Sequence, residues 1–324
     1  MTSPSTILQK SLLNSPLTPI LPAPKGAQIG WFGLCGSARS LAIAAAATKA
    51  PGPILVITAS VNAARQLEDE IRFYADDPSL PLLLFPDREC LPYDALSPHQ
   101  DITAQRLETL YRLPQLARGL VLAPAPTLLH RLPPREFIAS QSFMLSVGEV
   151  LDIPRLREQL VHAAYHSVSQ VMEPGEFAVR GGLIDLFPVG SPAPFRIDLF
   201  GERVESIREF DAGTQRSGKT LKAIRLLPAR EFPLTQPAIH RFRAAFRSRF
   251  EGDPQKVSIY RDVTKGLSPA GSEYYLPLFF DRTETFFSYL PDAATLFLDA
   301  GVSEAMDKFQ HEVQVRYNDL HYDR

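Results

Sequence analysis

Between residues 29 and 123 the chain alternates short, fully apolar runs with stretches whose apolar residues recur at helical spacing. The apolar runs are 29–34, 54–57, 82–85 and 120–123. Runs of that length predict strands buried on both faces, as in a parallel sheet. Residues 41–47 are good helix formers. Ala64, Leu67, Ile71 and Tyr74 share one helical face, and Leu107, Leu110 and Tyr111 mark a helix that stops at Pro114. Strand, helix and strand in turn predict an α/β fold with a doubly wound parallel sheet.

The texture changes near residue 140. From 143 to about 227 apolar and polar residues alternate: Phe195, Ile197 and Leu199 fall on one face, and Arg196, Asp198 and Phe200 on the other. Phe177 and Val179 likewise oppose Glu176, Ala178 and Arg180. Strict alternation predicts a sheet with one wet face, and with a helix at 155–164 it reads as a small α+β domain. The α/β texture then returns. Ile239, Phe242, Phe246 and Phe250 form a helical stripe, 295–298 is an apolar strand, and Met306, Phe309, Val313 and Tyr317 line a last amphipathic helix. That helix meets no stop glycine before Arg324 and is read as continuing into a longer chain. The expected organisation is an arm at 1–25, a first α/β part at 26–140, an inserted α+β domain at 141–227 and a second α/β part at 228–324.

Composition narrows the function classes. The 324 residues carry a net charge of −2, with 22% charged residues, and lack the basic excess of a dedicated nucleic-acid binder. Cys35 and Cys90, the two cysteines, fit reduced thiols in a cytoplasmic protein better than a disulfide framework. No apolar run reaches the ~18 residues of a membrane span. Pro4, Pro16, Pro19, Pro22 and Pro24 break the N-terminal stretch, which reads as a loose arm and not as a signal peptide.

After the first strand the chain reads GLCGSARS, residues 33–40. A phosphate-binding loop reads G-x-x-x-x-G-K-[ST]. Gly33 and Ser40 keep their places, while Ala38 replaces the second glycine and Arg39 the lysine. The glycine lets the backbone curl around phosphates, and the lysine reaches them as a compact charge that a planar guanidinium does not reproduce. The acid that would hold magnesium is best placed at Asp299, but Ala300 stands where a glutamate is needed. The site is therefore expected to be a degenerate P-loop, without catalysis and without a cofactor.

The alternating region offers a different chemistry. Parity puts Arg196 and Phe200 on the non-core face of their strand, and Arg180 on the polar side of its own, ahead of Gly181 and Gly182. An outward phenylalanine beside an arginine suits an interface hot spot. The alternative is that Arg180 and Arg196 pair with Glu176 or Asp198 and that Phe200 packs under a loop. Arg203 and Glu205 are rim candidates. His162 and His166 stand at i,i+4 but have no cysteine or carboxylate cluster for a metal. Arg241, Arg243, Arg247 and Arg249 spread around one helix as a solvated face, and the pairs Phe279-Phe280 and Phe286-Phe287 read as packing.

Four blocks carry a family resemblance: LPYDALSPHQD (91–101), QVMEPGEFAVRGGLIDLFPVGS (170–191), FRIDLFGERVESIREFD (195–211) and LLPAREFP (226–233). They closely resemble the N-terminal region of the bacterial transcription-repair coupling factor, Mfd, a region itself similar to the excision-repair protein UvrB. The resemblance implies a RecA-like α/β domain in two sequence halves, without ATPase activity. It implies an inserted domain that binds UvrA and recruits nucleotide excision repair to stalled RNA polymerase. The UvrA-contacting residues of the family fall on Arg180, Arg196 and Phe200. The motor that moves on double-stranded DNA and the polymerase-binding segment lie further along such proteins, and nothing here resembles them. UvrB-like proteins also carry a long tyrosine-rich hairpin on DNA. The matching stretch, 90–106, is short and keeps Tyr93. The competing expectation is a UvrB-like ATPase or helicase fragment retaining nucleotide binding at Gly33, Arg39 and Ser40.

Overall fold

The computed structural model describes residues 9–12, 17–22, 26–75 and 77–322. Of the arm expected at 1–25, residues 1–8, 13–16 and 23–25 lie outside the described residues. In chain order the elements are β1 (Gln9–Leu12), β2 (Ile29–Phe32), α1 (Ala38–Ala47), β3 (Ile54–Thr58), α2 (Val61–Tyr74), β4 (Leu82–Leu84), α3 (Gln100–Arg112), β5 (Leu120–Pro124), α4 (Arg135–Ser140), β6 (Phe143–Ser146), α5 (Ile153–His162), β7 (His166–Ser167), β8 (Glu176–Arg180), β9 (Leu183–Leu186), β10 (Phe195–Phe200), β11 (Arg203–Phe210), β12 (Ser217–Leu221), β13 (Ala223–Leu226), α6 (Gln236–Arg249), α7 (Ser258–Thr264), β14 (Thr295–Leu298) and α8 (Val302–Tyr322). They form two compact units. One comprises Met1–Pro86, Leu113–Leu128 and Leu290–Gln310; the other comprises Asp87–Arg112, Leu129–Tyr289 and His311–Arg324.

The first unit is α/β. Its four-stranded sheet has the order β14-β3-β5-β4 and is parallel throughout. The apolar runs of β3 and β5 are buried along their whole length, as strands covered on both faces must be. Helix α2 starts where Ser60 accepts a hydrogen bond from the Ala63 amide, satisfying one of the free donors of the first turn. It then buries Ala64, Leu67 and Ile71. Two expectations change here. Strand β2 ladders in parallel with β1 and not with the four-stranded sheet; Gly30 and the exposed Phe32 give it no second buried face. Strand β14, at one edge of the sheet, has only one face covered, and its alternate residues Leu296 and Leu298 are exposed.

The second unit is built on a six-stranded sheet of order β12-β11-β10-β9-β8-β7, antiparallel except for β7 with β8. Phe177, Ile184, Leu186, Phe195, Ile197, Val204 and Ile207 pack from one face against Leu156 and Leu160 of α5. Strands β6 and β13 form a separate antiparallel pair. The α6–α7 region has an aromatic core in which Phe279 stacks on Phe242 at 4.8 Å and on Phe232 at 4.6 Å. Phe279 and Phe286 are thus packing residues, while Phe287 is exposed. The arginines of α6 are less solvated than their spread suggests: Arg241 binds Asp281 at 2.6 Å, and Arg247 lies over the Tyr260 ring. Helix α8 belongs to the first unit up to Gln310 and to the second from His311; its apolar stripe is shallow, with Met306, Phe309 and Val313 half-buried and Tyr317 exposed.

Three distant segments of this unit meet at one carboxylate. Glu231 accepts hydrogen bonds from Arg106 of α3, at 2.5 Å, and from Arg88. The three side chains are 3%, 1% and 3% exposed in the order Glu231, Arg106, Arg88. Burial opposes ionisation of Glu231, but the two guanidiniums outweigh it and hold its carboxyl below the ordinary range. His130 lies beside Arg88 at 3.4 Å; burial and the neighbouring guanidiniums push its pKa down to about 3, so it is neutral.

Candidate functional site

The expected docking residues sit on the sheet face opposite the main core. Between β8 and β9 the chain reverses through Gly181, at φ 59°, and Gly182, where a Cβ would stand 3.1 Å from the Leu199 carbonyl oxygen. A side chain at either position would disturb the turn, so the glycine pair lets β9 lie against both neighbours. The register then sets two cross-strand rows. One runs Ala178, Asp185, Arg196, Arg208, and the other Arg180, Leu183, Asp198, Ser206. Phe200 follows at the end of β10, opposite Arg203. The structure therefore brings Arg180, Arg196 and Phe200 to one face. Strand geometry puts the Arg180 backbone about 12 Å from that of Phe200, and Arg196 about 13 Å from it along the strand.

Their environments differ. Phe200 is 81% exposed and packs under no loop. Arg180 is exposed and donates to the Ser169 carbonyl at 2.7 Å. Arg196 is held from all sides. Its Nε and Nη2 grip the Asp185 carboxylate at 2.7 and 2.9 Å, and its Nη1 reaches the Gln215 carbonyl at 3.1 Å. Its Nη2 also reaches Gln215 Oε1 at 3.3 Å, and the guanidinium lies 4.6 Å over the Phe210 ring. Only 16% of this side chain is exposed. The ion pairing considered from parity is therefore real in kind but has another partner. Arg196 pairs with Asp185, and Asp198 instead accepts from Ser206 at 2.7 Å and from Arg208. Burial pushes the Asp198 carboxyl up, but these two hydrogen bonds win and lower it. Glu176 accepts from the Met172 and Glu173 amides at 2.8 and 2.9 Å.

Between the rows lies an open hollow of about 610 Å³ whose walls include Arg180, Leu183, Asp198, Glu205, Ser206 and Arg208. Of the rim candidates, Glu205 lines this hollow and Arg203 donates to the Gly148 carbonyl at 2.7 Å. Val171, Ala178 and Phe210 form a small apolar cluster on the face that carries Arg196. The wet face is thus partly roofed by the chain around Val171 and by the 211–216 turn. Asp185 and Gln215 went unread in the sequence. The eight-residue link from β9 to β10 fixes no register, and Gln215, at φ 59°, has no residue type that announces a left-handed backbone.

The residues of the phosphate loop come together in the first unit. Gly33 has φ 78°, and α1 begins at Ala38. Arg39 Nη1 lies 2.6 Å from Asp299 Oδ2. Ser40, fully buried, donates its hydroxyl to Glu70, and this bond is the first cause of the lowered Glu70 pKa. Ser37 and Tyr74 share a hydrogen bond at 2.7 Å. No group of three or more His, Cys, Asp or Glu side chains is placed to hold a metal among the described residues, His162 and His166 included. Nor is any described helix long and apolar enough to cross a membrane.

Comparison with known proteins fits this division. Residues 143–232 match the family of the UvrB interaction domain. The chain is similar to the transcription-repair-coupling factor of Escherichia coli K12, 41% identical over 299 residues, which is 92% of this chain and 26% of that protein. The Haemophilus influenzae factor is 40% identical over 284 residues, 86% of this chain and 24% of that protein. The Bacillus subtilis factor is 31% identical over 296 residues, 86% of this chain and 25% of that protein. The chain spans about a quarter of the length of these relatives.

Proposed function

For a chain homologous over most of its length to transcription-repair-coupling factors and carrying a UvrB interaction domain, we propose a non-catalytic adaptor that binds UvrA through the outer face of the β7–β12 sheet. The observation that carries this reading is the exposed Phe200 inside the matched segment, flanked by Arg180 and Arg196 on the same face. A single outward apolar residue is common on protein surfaces, but Phe200 shares its face with two arginines. Aromatic and arginine side chains also carry much of the energy of protein interfaces.

The altered phosphate loop is what supports the non-catalytic part of this reading. A magnesium nucleotide needs a free cation, a hydroxyl for the metal and an acid beside it. Here the cation and the acid, Arg39 and Asp299, neutralise each other, and the Ser40 hydroxyl is turned to Glu70. These residues do not fit the ligand, and we read the α/β unit as a RecA-like scaffold kept for its shape. The division into 26–140, 141–227 and 228–324 belongs to the same reading; the family match over 143–232 supports its middle part, although residues 87–112, 129–140 and 228–289 fall in the same compact unit as that part. In the whole protein, adaptor work would bring excision repair to stalled RNA polymerase in the cytoplasm, with double-stranded DNA held by segments beyond this chain.

Gel filtration of the chain with purified UvrA tests the proposal. The expected result is a complex that Arg180→Ala weakens and Phe200→Ala abolishes at micromolar concentration. Co-elution unchanged by both substitutions would sink the assigned face.

A further inference from the structure

The three docking residues leave an area deficit. A specific interface covers about 800 Å² on each partner, a patch roughly 30 Å across, whereas Phe200 and Arg180 stand about 12 Å apart. Both arginines lead to one neighbouring segment, 168–172. Arg180 donates to its Ser169 carbonyl at 2.7 Å. Arg196 holds Gln215, and Gln215 Nε2 donates to the Val171 carbonyl at 3.3 Å and to that of Ala212 at 2.6 Å. The Val168 amide is tied to the Phe177 carbonyl, and Glu176 takes the Met172 amide. Buried Val171 anchors the middle of the segment against Ala178 and Phe210. Held this way, the segment presents Gln170 and Met172 to solvent, Met172 with nearly half its surface exposed.

We infer that segment 168–172 is a second contact strip for UvrA, with Met172 as its apolar anchor, and that Arg196, Asp185 and Gln215 are positioning residues for it. This rests on the docking reading above and deepens it. Four of the five N–H donors of Arg196 are already spent on Asp185 and Gln215, so its main effect on a partner passes through what it holds. Asp185 supplies the buried counter-charge that fixes the guanidinium, and Gln215 transmits the grip to Val171. Methionine suits such a strip because its unbranched, polarisable side chain adapts to a partner surface. Ordering the strip before binding lowers the entropy cost of docking.

The test measures UvrA affinity of the whole chain by biolayer interferometry. Four variants are compared with the parent: Met172→Ala, Gln215→Gly, the two combined, and Phe200→Ala. Glycine keeps the left-handed backbone at 215 without strain and removes only the amide grip. The expected result is a loss of about tenfold for Met172→Ala and for Gln215→Gly, and little more for the pair, because coupled sites do not add. Gln215→Gly and Arg196→Lys should both speed hydrogen exchange at 168–172 while leaving the core strands protected. Affinity within about twofold of the parent for Met172→Ala and Gln215→Gly, or losses that multiply to about 100-fold, would overturn the strip while a weakened Phe200→Ala keeps the docking face. A Phe200→Ala variant that binds like the parent would overturn the docking face itself.

Discussion

Replacing Glu231 by glutamine asks whether one carboxylate holds the second unit together. The substitution conserves volume and removes one charge from a site where Arg88 and Arg106 are 3% and 1% exposed. Both guanidiniums would remain buried. One would face an amide N–H₂ donor where it now meets an oxygen at hydrogen-bonding distance. Removing one partner of a buried ion pair costs about 3–5 kcal/mol, a large part of the ~5–15 kcal/mol that stabilises a domain. Of the neighbours, His130 is neutral, while the Glu273 and Asp87 carboxylates act on Arg88 and Arg106 by charge and offset part of the loss. With a urea slope of about 2 kcal/mol per molar, the midpoint should fall by roughly 1.5–2.5 M. Hydrogen exchange on peptides from α3 and from β8 to β11 follows the second unit, and fluorescence of Trp31, the sole tryptophan, follows the first. A midpoint shift below about 0.5 M in the α3 and β8–β11 peptides would mean that the charges are solvated or dispensable and that the carboxylate does not hold the unit together.

Further expectations follow from the same geometry. His130 has a folded pKa of about 3 against 6.5 when unfolded, so between those values the unfolded chain binds the extra proton and stability falls with falling pH. The loss from His130 between pH 7 and pH 5 should be about 2 kcal/mol; His130→Gln should remove that part and leave the part due to His166, whose pKa is also lowered, by burial and by Arg230, and an equal pH dependence in parent and variant would contradict it. Glu231, whose carboxyl pKa is lowered in the folded state, adds a second loss of stability as pH falls below its unfolded value of about 4.5. Millimolar Mg-ATP should leave the melting temperature unchanged, whereas a site with a Kd near 50 μM would add about 2.7 kcal/mol at 5 mM ligand. Breaking the Arg39–Asp299 pair with Asp299→Ala should not create nucleotide binding, and a thermal shift appearing in that variant would show that the pair alone blocks the site.

What the sequence revealed and what it hid divide along physical lines. Runs of apolar residues at 54–57 and 120–123 were readable as buried parallel strands because both faces must be apolar there. Parity placed Phe200 and Arg196 on the outer face because the side-chain period of a strand is two. The partner of Arg196 was not readable, since strand register across the long β9–β10 link depends on tertiary packing. The same holds for the Glu231 cluster, whose members come from positions 88, 106 and 231 with no local pattern to join them. The first strand was misplaced because a short apolar run does not say which neighbour it will ladder with. Edge strand β14 misled similarly: its residues are as apolar as those of β3, but only one face is covered.

The proposed docking of UvrA on the exposed Phe200 of the β7–β12 sheet is open to direct measurement. Isothermal titration of purified UvrA into the chain, beside the same titration of Phe200→Ala, tests it most directly. The expected result is saturable binding by the parent and an affinity at least about 30-fold weaker in the variant, equivalent to ~2 kcal/mol. No heat of binding in the parent, or one curve fitting both proteins, would contradict it.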